Sequence, residues 1–128
     1  MIAVDASAVL AILLQEPEAR DFRARLQAAG GLLSPVNHWE ILARAYGLGG
    51  REGAAQAQRL LQDLHIEVAD LNEAASTAAF EAFVRYGKGN GGPLNLGDCF
   101  AYALAEREGD GLLFKGDDFP KTDVESAI

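Results

Sequence analysis

Five acidic side chains stand where they could do more than solvate a surface: Asp5, Glu40, Asp98 and the adjacent pair Asp117 and Asp118. Asp5 closes the apolar run Met1-Ile2-Ala3-Val4, and Ser7 follows two residues later. Glu40 is flanked by Trp39 and by Ile41-Leu42. Asp98 precedes the almost wholly apolar stretch Cys99-Phe100-Ala101-Tyr102-Ala103-Leu104-Ala105. Asp117-Asp118 follow Leu112-Leu113-Phe114-Lys115-Gly116 and precede Phe119-Pro120. Carboxylates gathered in one cleft repel and raise one another's pKa values. A divalent cation removes that penalty, and an all-oxygen donor set suits Mg2+ or Mn2+. Such ions activate water and stabilise charge at a phosphodiester under in-line attack. Zinc ligation has no comparable support, because His38 and His65 are isolated and Cys99 stands alone.

Each acidic position also has a plain local explanation. Asp5 or Ser7 can cap a helix. Glu40 can be a solvent-facing residue between core positions. Asp98 sits in a first helical turn, where an anion gains from the helix dipole, and Asn95 competes with it as the cap. Adjacent aspartates are common turn formers. The choice depends on what positions them.

The elements come from the pattern of apolar residues and breakers. Met1 to Val4 reads as a buried strand and Ala6 to Leu14 as a helix. Pro17 starts a second helix to Ala29, with Phe22 and Leu26 on one face, ended by Gly30-Gly31. Leu32-Leu33 is a second strand. Ser34-Pro35 opens a helix through Trp39, Leu42, Ala43 and Tyr46 that stops at Gly47. Gly49-Gly50 separates it from a helix over Glu52 to Leu64. Ile66 to Ala69 is a third strand, and Asn72 caps a helix from Glu73 to Tyr86. Leu96 to Glu108 is again helical, Leu112 to Phe114 is a fourth strand, and Val124 marks a short fifth. Strands alternating with helices predict an α/β fold of three layers, a central parallel sheet of four to five strands flanked by helices. In such sheets functional groups collect beyond the carboxyl ends of the strands. Asp5 and Asp117-Asp118 occupy that position.

A length of 128 residues fits one domain spanning 1–128, with roughly two-thirds of its surface buried on folding. The single cysteine allows no internal disulfide, in keeping with a reducing cytoplasm. The first residues lack the basic region of a signal peptide, and Ala8 to Leu14 is too short to span a bilayer, so no membrane partner is expected. Net charge is −8, against the basic footprint usual in a nucleic-acid binder. Either the acidic surface is simply solvated or several carboxylates surround cations. The Gly87 to Pro93 stretch is no phosphate loop, because no Gly-Lys-Ser/Thr follows a strand. It is a connector, or it lets Arg85 and Lys88 meet nucleic-acid phosphates.

Four stretches, in order, resemble the motifs of PIN-domain ribonucleases, and specifically the VapC toxins of toxin–antitoxin pairs. They are Ile2 to Ala11, Ser34 to Glu40, Leu94 to Ala105 and Leu112 to Asp123, together spanning nearly the whole chain. The resemblance implies an endoribonuclease dependent on Mg2+ or Mn2+. It implies metal binding through Asp5, Glu40, Asp98 and an aspartate of the last motif. Many relatives separate two aspartates there by one residue. Here they are adjacent, and Asp117 is preferred over Asp118 because it lies closer to the strand end. Ser7 would orient Asp5 or a metal-bound water. The resemblance further implies a homodimer inhibited by a VapB-like antitoxin, which would be the only link to DNA; Trp39, Tyr46 and Leu48 belong either to an interface or to the core. Two other readings compete. A phosphoryl-transfer enzyme built on a nucleophilic aspartate would want a second aspartate where Ser7 stands. A catalytically silent module of the same fold would not need every carboxylate.

Overall fold

The computed structural model describes residues 1–128. Its strands are β1 (Ile2–Val4), β2 (Gly31–Leu33), β3 (Ile66–Val68) and β4 (Leu112–Leu113). Its helices are α1 (Ala6–Leu13), α2 (Ala19–Ala29), α3 (Pro35–Asp63), α4 (Glu73–Tyr86) and α5 (Leu96–Glu108). All strand pairs are parallel, in the order β3-β2-β1-β4. Parallel neighbours require crossovers, and the helices supply them.

Alternation along the strands divides the core in two. Ile2, Val4, Leu33 and Leu113 pack with Val9, Ile12, Phe22, Leu26, Ile41 and Leu61 from α1, α2 and α3. Ala3 and Leu112 face the other way, onto Ala79, Ala82, Cys99, Tyr102 and Leu104 from α4 and α5. The central strands are thus buried on both faces, which explains their unbroken apolar sequence. Each fully buried Leu or Ile, such as Leu26 or Ile41, contributes roughly 1.5–3 kcal/mol.

Two expectations about element ends change. The third helix does not stop at Gly47; it continues to Gly49-Gly50, where the backbone leaves helical geometry (Gly50 φ 64°, ψ −153°). Gly47 has ordinary helical surroundings, whereas only glycine adopts the Gly50 conformation without strain. A fifth strand at Val124 is reduced to a single bridge between Leu112 and Ser126. The Val124 amide donates to Thr122 Oγ1 (3.2 Å) within its own turn, so it cannot extend a ladder.

The strand order sets the site. From β1 the chain moves outward to β2 and β3, then returns to place β4 on the opposite side of β1. The crevice between the carboxyl ends of β1 and β4 is therefore the topological switch point, where ligands bind in open parallel sheets.

Candidate active site

Three helix beginnings and one turn meet at this edge. Asp5, the residue after β1, is the N-cap of α1, and its Oδ2 accepts from the Ser7 amide (3.0 Å). Ser34 follows β2 and caps α3 by accepting from Val36 N (3.2 Å), with Pro35 in the first turn. This puts Glu40 in the second turn of α3, on the side facing α5. Asn95 caps α5 by accepting from Asp98 N (2.9 Å), and Asp98 Oδ2 accepts in return from Asn95 N (3.1 Å). Ser7 Oγ accepts from Lys115 N (3.0 Å) and so ties the turn after β4 to the start of α1.

The capping explanations are therefore correct as local structure, yet they do not compete with proximity. Asp5 is 5% exposed and its pKa is raised, first by burial, with a further contribution from the charge of Glu40; bonds from Ser7 oppose this. Burial also raises Glu40, opposed by a bond from Asn37 and reinforced by the charge of Asp98. Asp98 is pushed up to about 6, chiefly by burial, then by the charges of Asp5 and Asp118; the Asn95 bond and the Lys88 charge pull the other way. Asp5, Glu40 and Asp98 each lie within electrostatic reach of the other two. They come from three elements distant in sequence. No lysine or arginine forms an ion pair with any of them. Lys115, whose amide donates to Ser7 Oγ, has its ammonium occupied by Glu16 and Glu18.

As they stand, the side chains do not close into a finished set of three or more ligands. The donor chemistry is oxygen only. His38 Nε2 is taken up by Gln58 Oε1 (3.0 Å), and the Cys99 thiol is buried. These features fit a hard divalent ion such as Mg2+ or Mn2+.

Of the last-motif pair, the charge of Asp118 contributes to raising Asp98. Arg85 is engaged elsewhere. It pairs with Asp123 (3.0 Å), which also accepts the Tyr102 hydroxyl, and lies over the Tyr86 ring (4.9 Å). Lys88 makes no ion pair, and its charge reaches Asp98. Trp39, Tyr46 and Leu48 are exposed, so they are not core residues.

A profile of the PIN domain matches residues 2–125. The chain belongs to the PIN-domain family. Its relatives include ribonuclease VapC42 of Mycobacterium tuberculosis, 37% identical over 127 residues, covering 97% of each chain. Ribonuclease VapC30 of the same organism is 40% identical over 129 residues, covering 96% of this chain and 95% of that one. The ribonuclease VapC of Mycolicibacterium smegmatis is 34% identical over 125 residues, covering 96% and 97%. Among solved structures, Mycobacterium tuberculosis VapC20, a toxin that cleaves the sarcin-ricin loop, superposes with a TM-score of 0.76. It covers 100% of this chain and 98% of that one at 16% identity, a likeness of fold. The parallel four-stranded sheet is thus the PIN fold, and the relatives matched over nearly the whole chain carry the name VapC ribonuclease. No helix is long and apolar enough to cross a membrane.

One site residue escaped the sequence reading. Asn37 is 0% exposed, and its Nδ2 donates to Glu40 Oε1 (2.8 Å) and to Gly97 O (3.0 Å). The available signal was its spacing, three residues before Glu40 on one helix, which places both on the same face. Nothing in the sequence marks that face as buried against α5.

Proposed function

We propose that this PIN-domain protein is an endoribonuclease dependent on Mg2+ or Mn2+, the toxin of a toxin–antitoxin pair. Its metal-binding set is Asp5, Glu40 and Asp98, with Asp118 ahead of Asp117 as fourth member because its charge reaches Asp98. The observation that carries the reading is the coupled trio itself. Three carboxylates, one of them almost fully buried, have pKa values raised first by burial and then by one another's charge, without an ion-pair partner. Such an arrangement is costly in the free protein and is relieved by a cation.

When bound, the cation supplies Lewis acidity to a water and to the phosphodiester. The protein's own groups then have distinct tasks. Ser7 holds Asp5 through its amide and fixes the β4 turn through its hydroxyl. The capping box holds Asp98 at the start of α5. Lys88 lies where a substrate phosphate approaching Asp98 would meet a positive charge. RNA is then attracted by the cation and this local charge, against an overall charge of −8. The same acidic surface suits a basic, flexible antitoxin segment, and exposed Trp39, Tyr46 and Leu48 suit a homodimer or antitoxin contact. Contact with DNA would come only through the antitoxin, and the setting is the cytoplasm.

The test is cleavage of RNA with Mg2+ or Mn2+, with and without chelator, by the wild type and Asp5→Asn. Chelation is expected to abolish cleavage and the substitution to lower it by at least about 100-fold. Chelator-resistant cleavage, or full activity in the variant, would overturn the mechanism.

A further inference from the structure

Two residues next to Glu40 are locally unfavourable choices. Asn37 is an amide sealed entirely inside the protein, with its Oδ1 buried and unpartnered. A buried acceptor without a partner destabilises the fold. Its orientation is unambiguous, since both groups facing Nδ2, Glu40 Oε1 and Gly97 O, can only accept. Gly97 lies in the first turn of α5, where alanine would be the better helix former. A Cβ at Gly97 would run into the Glu40 carboxylate. An apolar residue at position 37 and an alanine at 97 would both serve the helices better. Both costs converge on one carboxylate.

We infer that Asn37 and Gly97 are positioning residues for Glu40. Gly97 leaves the space that lets the carboxylate lie against the first turn of α5. Asn37 then binds Oε1 and links it to the Gly97 carbonyl, so α3 and α5 are locked together at the site. One oxygen is thereby fixed by the protein, while Oε2 has no hydrogen-bond donor and is free for a cation. A glutamate has three side-chain torsions to immobilise, and this clamp does so before any ion arrives. The inference rests on Glu40 being a metal ligand.

The experiment is calorimetric titration of the full chain with Mn2+, together with RNA cleavage kinetics. The variants are Asn37→Leu, Gly97→Ala and Glu40→Gln, singly and with each of the first two combined with Glu40→Gln. Asn37→Leu is nearly isosteric and removes only the amide; Gly97→Ala reaches Glu40 by an independent route should the first variant fold poorly. Each is expected to weaken Mn2+ binding about 10-fold or more. In the Glu40→Gln background the same substitutions should cost less than about 2-fold, because residues acting through one group are not additive. Wild-type Mn2+ affinity in both single variants would overturn the inference. So would equal losses with and without the Glu40 carboxylate, the mark of a purely structural effect. If Glu40→Gln alone bound Mn2+ like the wild type, the ligand reading of Glu40 would fall first, and the positioning inference with it.

Discussion

Replacing Asp98 by Asn is expected to stabilise the metal-free protein while abolishing cleavage. The Asp98 carboxyl is raised from 3.8 to about 6, mainly by burial and then by Asp5 and Asp118. A carboxyl whose folded pKa exceeds its ordinary value binds its proton more tightly in the folded state. Its ionisation therefore costs stability in full above about pH 6, and the cost fades as pH falls from about 6 toward 3.8. At about 1.4 kcal/mol per pH unit, the upper bound is about 3 kcal/mol. Asp98 is partly exposed, and solvent screening reduces this to about 1–2 kcal/mol. Asparagine keeps an oxygen to accept from Asn95 N, so the capping box survives. For a domain of this size the gain corresponds to roughly 4–8 °C in Tm. The assay is thermal unfolding of wild type and Asp98→Asn in chelator, at pH 8 and pH 4.5. The variant should be the more stable at pH 8, and most of its advantage should be gone at pH 4.5. Added Mn2+ should raise the Tm of the wild type and leave the variant unmoved. Equal Tm values at pH 8, or an undiminished gain at pH 4.5, would refute the view that these carboxylates strain the free protein.

Further outcomes follow from other contacts. Asp118→Asn should reduce cleavage far more than Asp117→Asn, measured as kcat/KM; the reverse order would place the fourth carboxylate at Asp117. Ser7→Ala removes the acceptor of Lys115 N and should cost about 1–3 kcal/mol by denaturant unfolding, with reduced cleavage. Gly31→Ala should destabilise by about 1–3 kcal/mol without touching the site. Its Cβ would meet Val4 Cγ2 at 2.8 Å and Leu26 Cδ2 at 2.9 Å.

Much of this protein is legible along the chain because the information is local. Buried parallel strands are apolar without alternation, and Ile2–Val4 and Leu112–Leu113 read that way. Helix starts are written in Ser34-Pro35, Asn72 and Asn95, whose side chains accept from amides two or three residues on. From these the three-layer order, the carboxyl edge and the acidic set Asp5, Glu40 and Asp98 can be named. The break in α3 is announced by the two glycines at which it occurs, Gly49 and Gly50.

What needed the tertiary structure was every relation between groups far apart in sequence. Local chemistry made capping and catalysis look like alternatives for Asp5 and Asp98. In the fold a carboxylate that caps a helix at the switch point already lies in the cleft beside the others, so capping and proximity are not alternatives. The charge of Asp118 acts on Asp98, and a turn's direction is not encoded in adjacency. Arg85 appears free in sequence, yet Asp123 and two tyrosine rings occupy it. Asn37 and Gly97 gain meaning only when α3 lies across α5, because their shared target is a contact 60 residues long in sequence. Residue type and spacing determined which groups could act; the packing of helices at one edge of the sheet decided which of them meet.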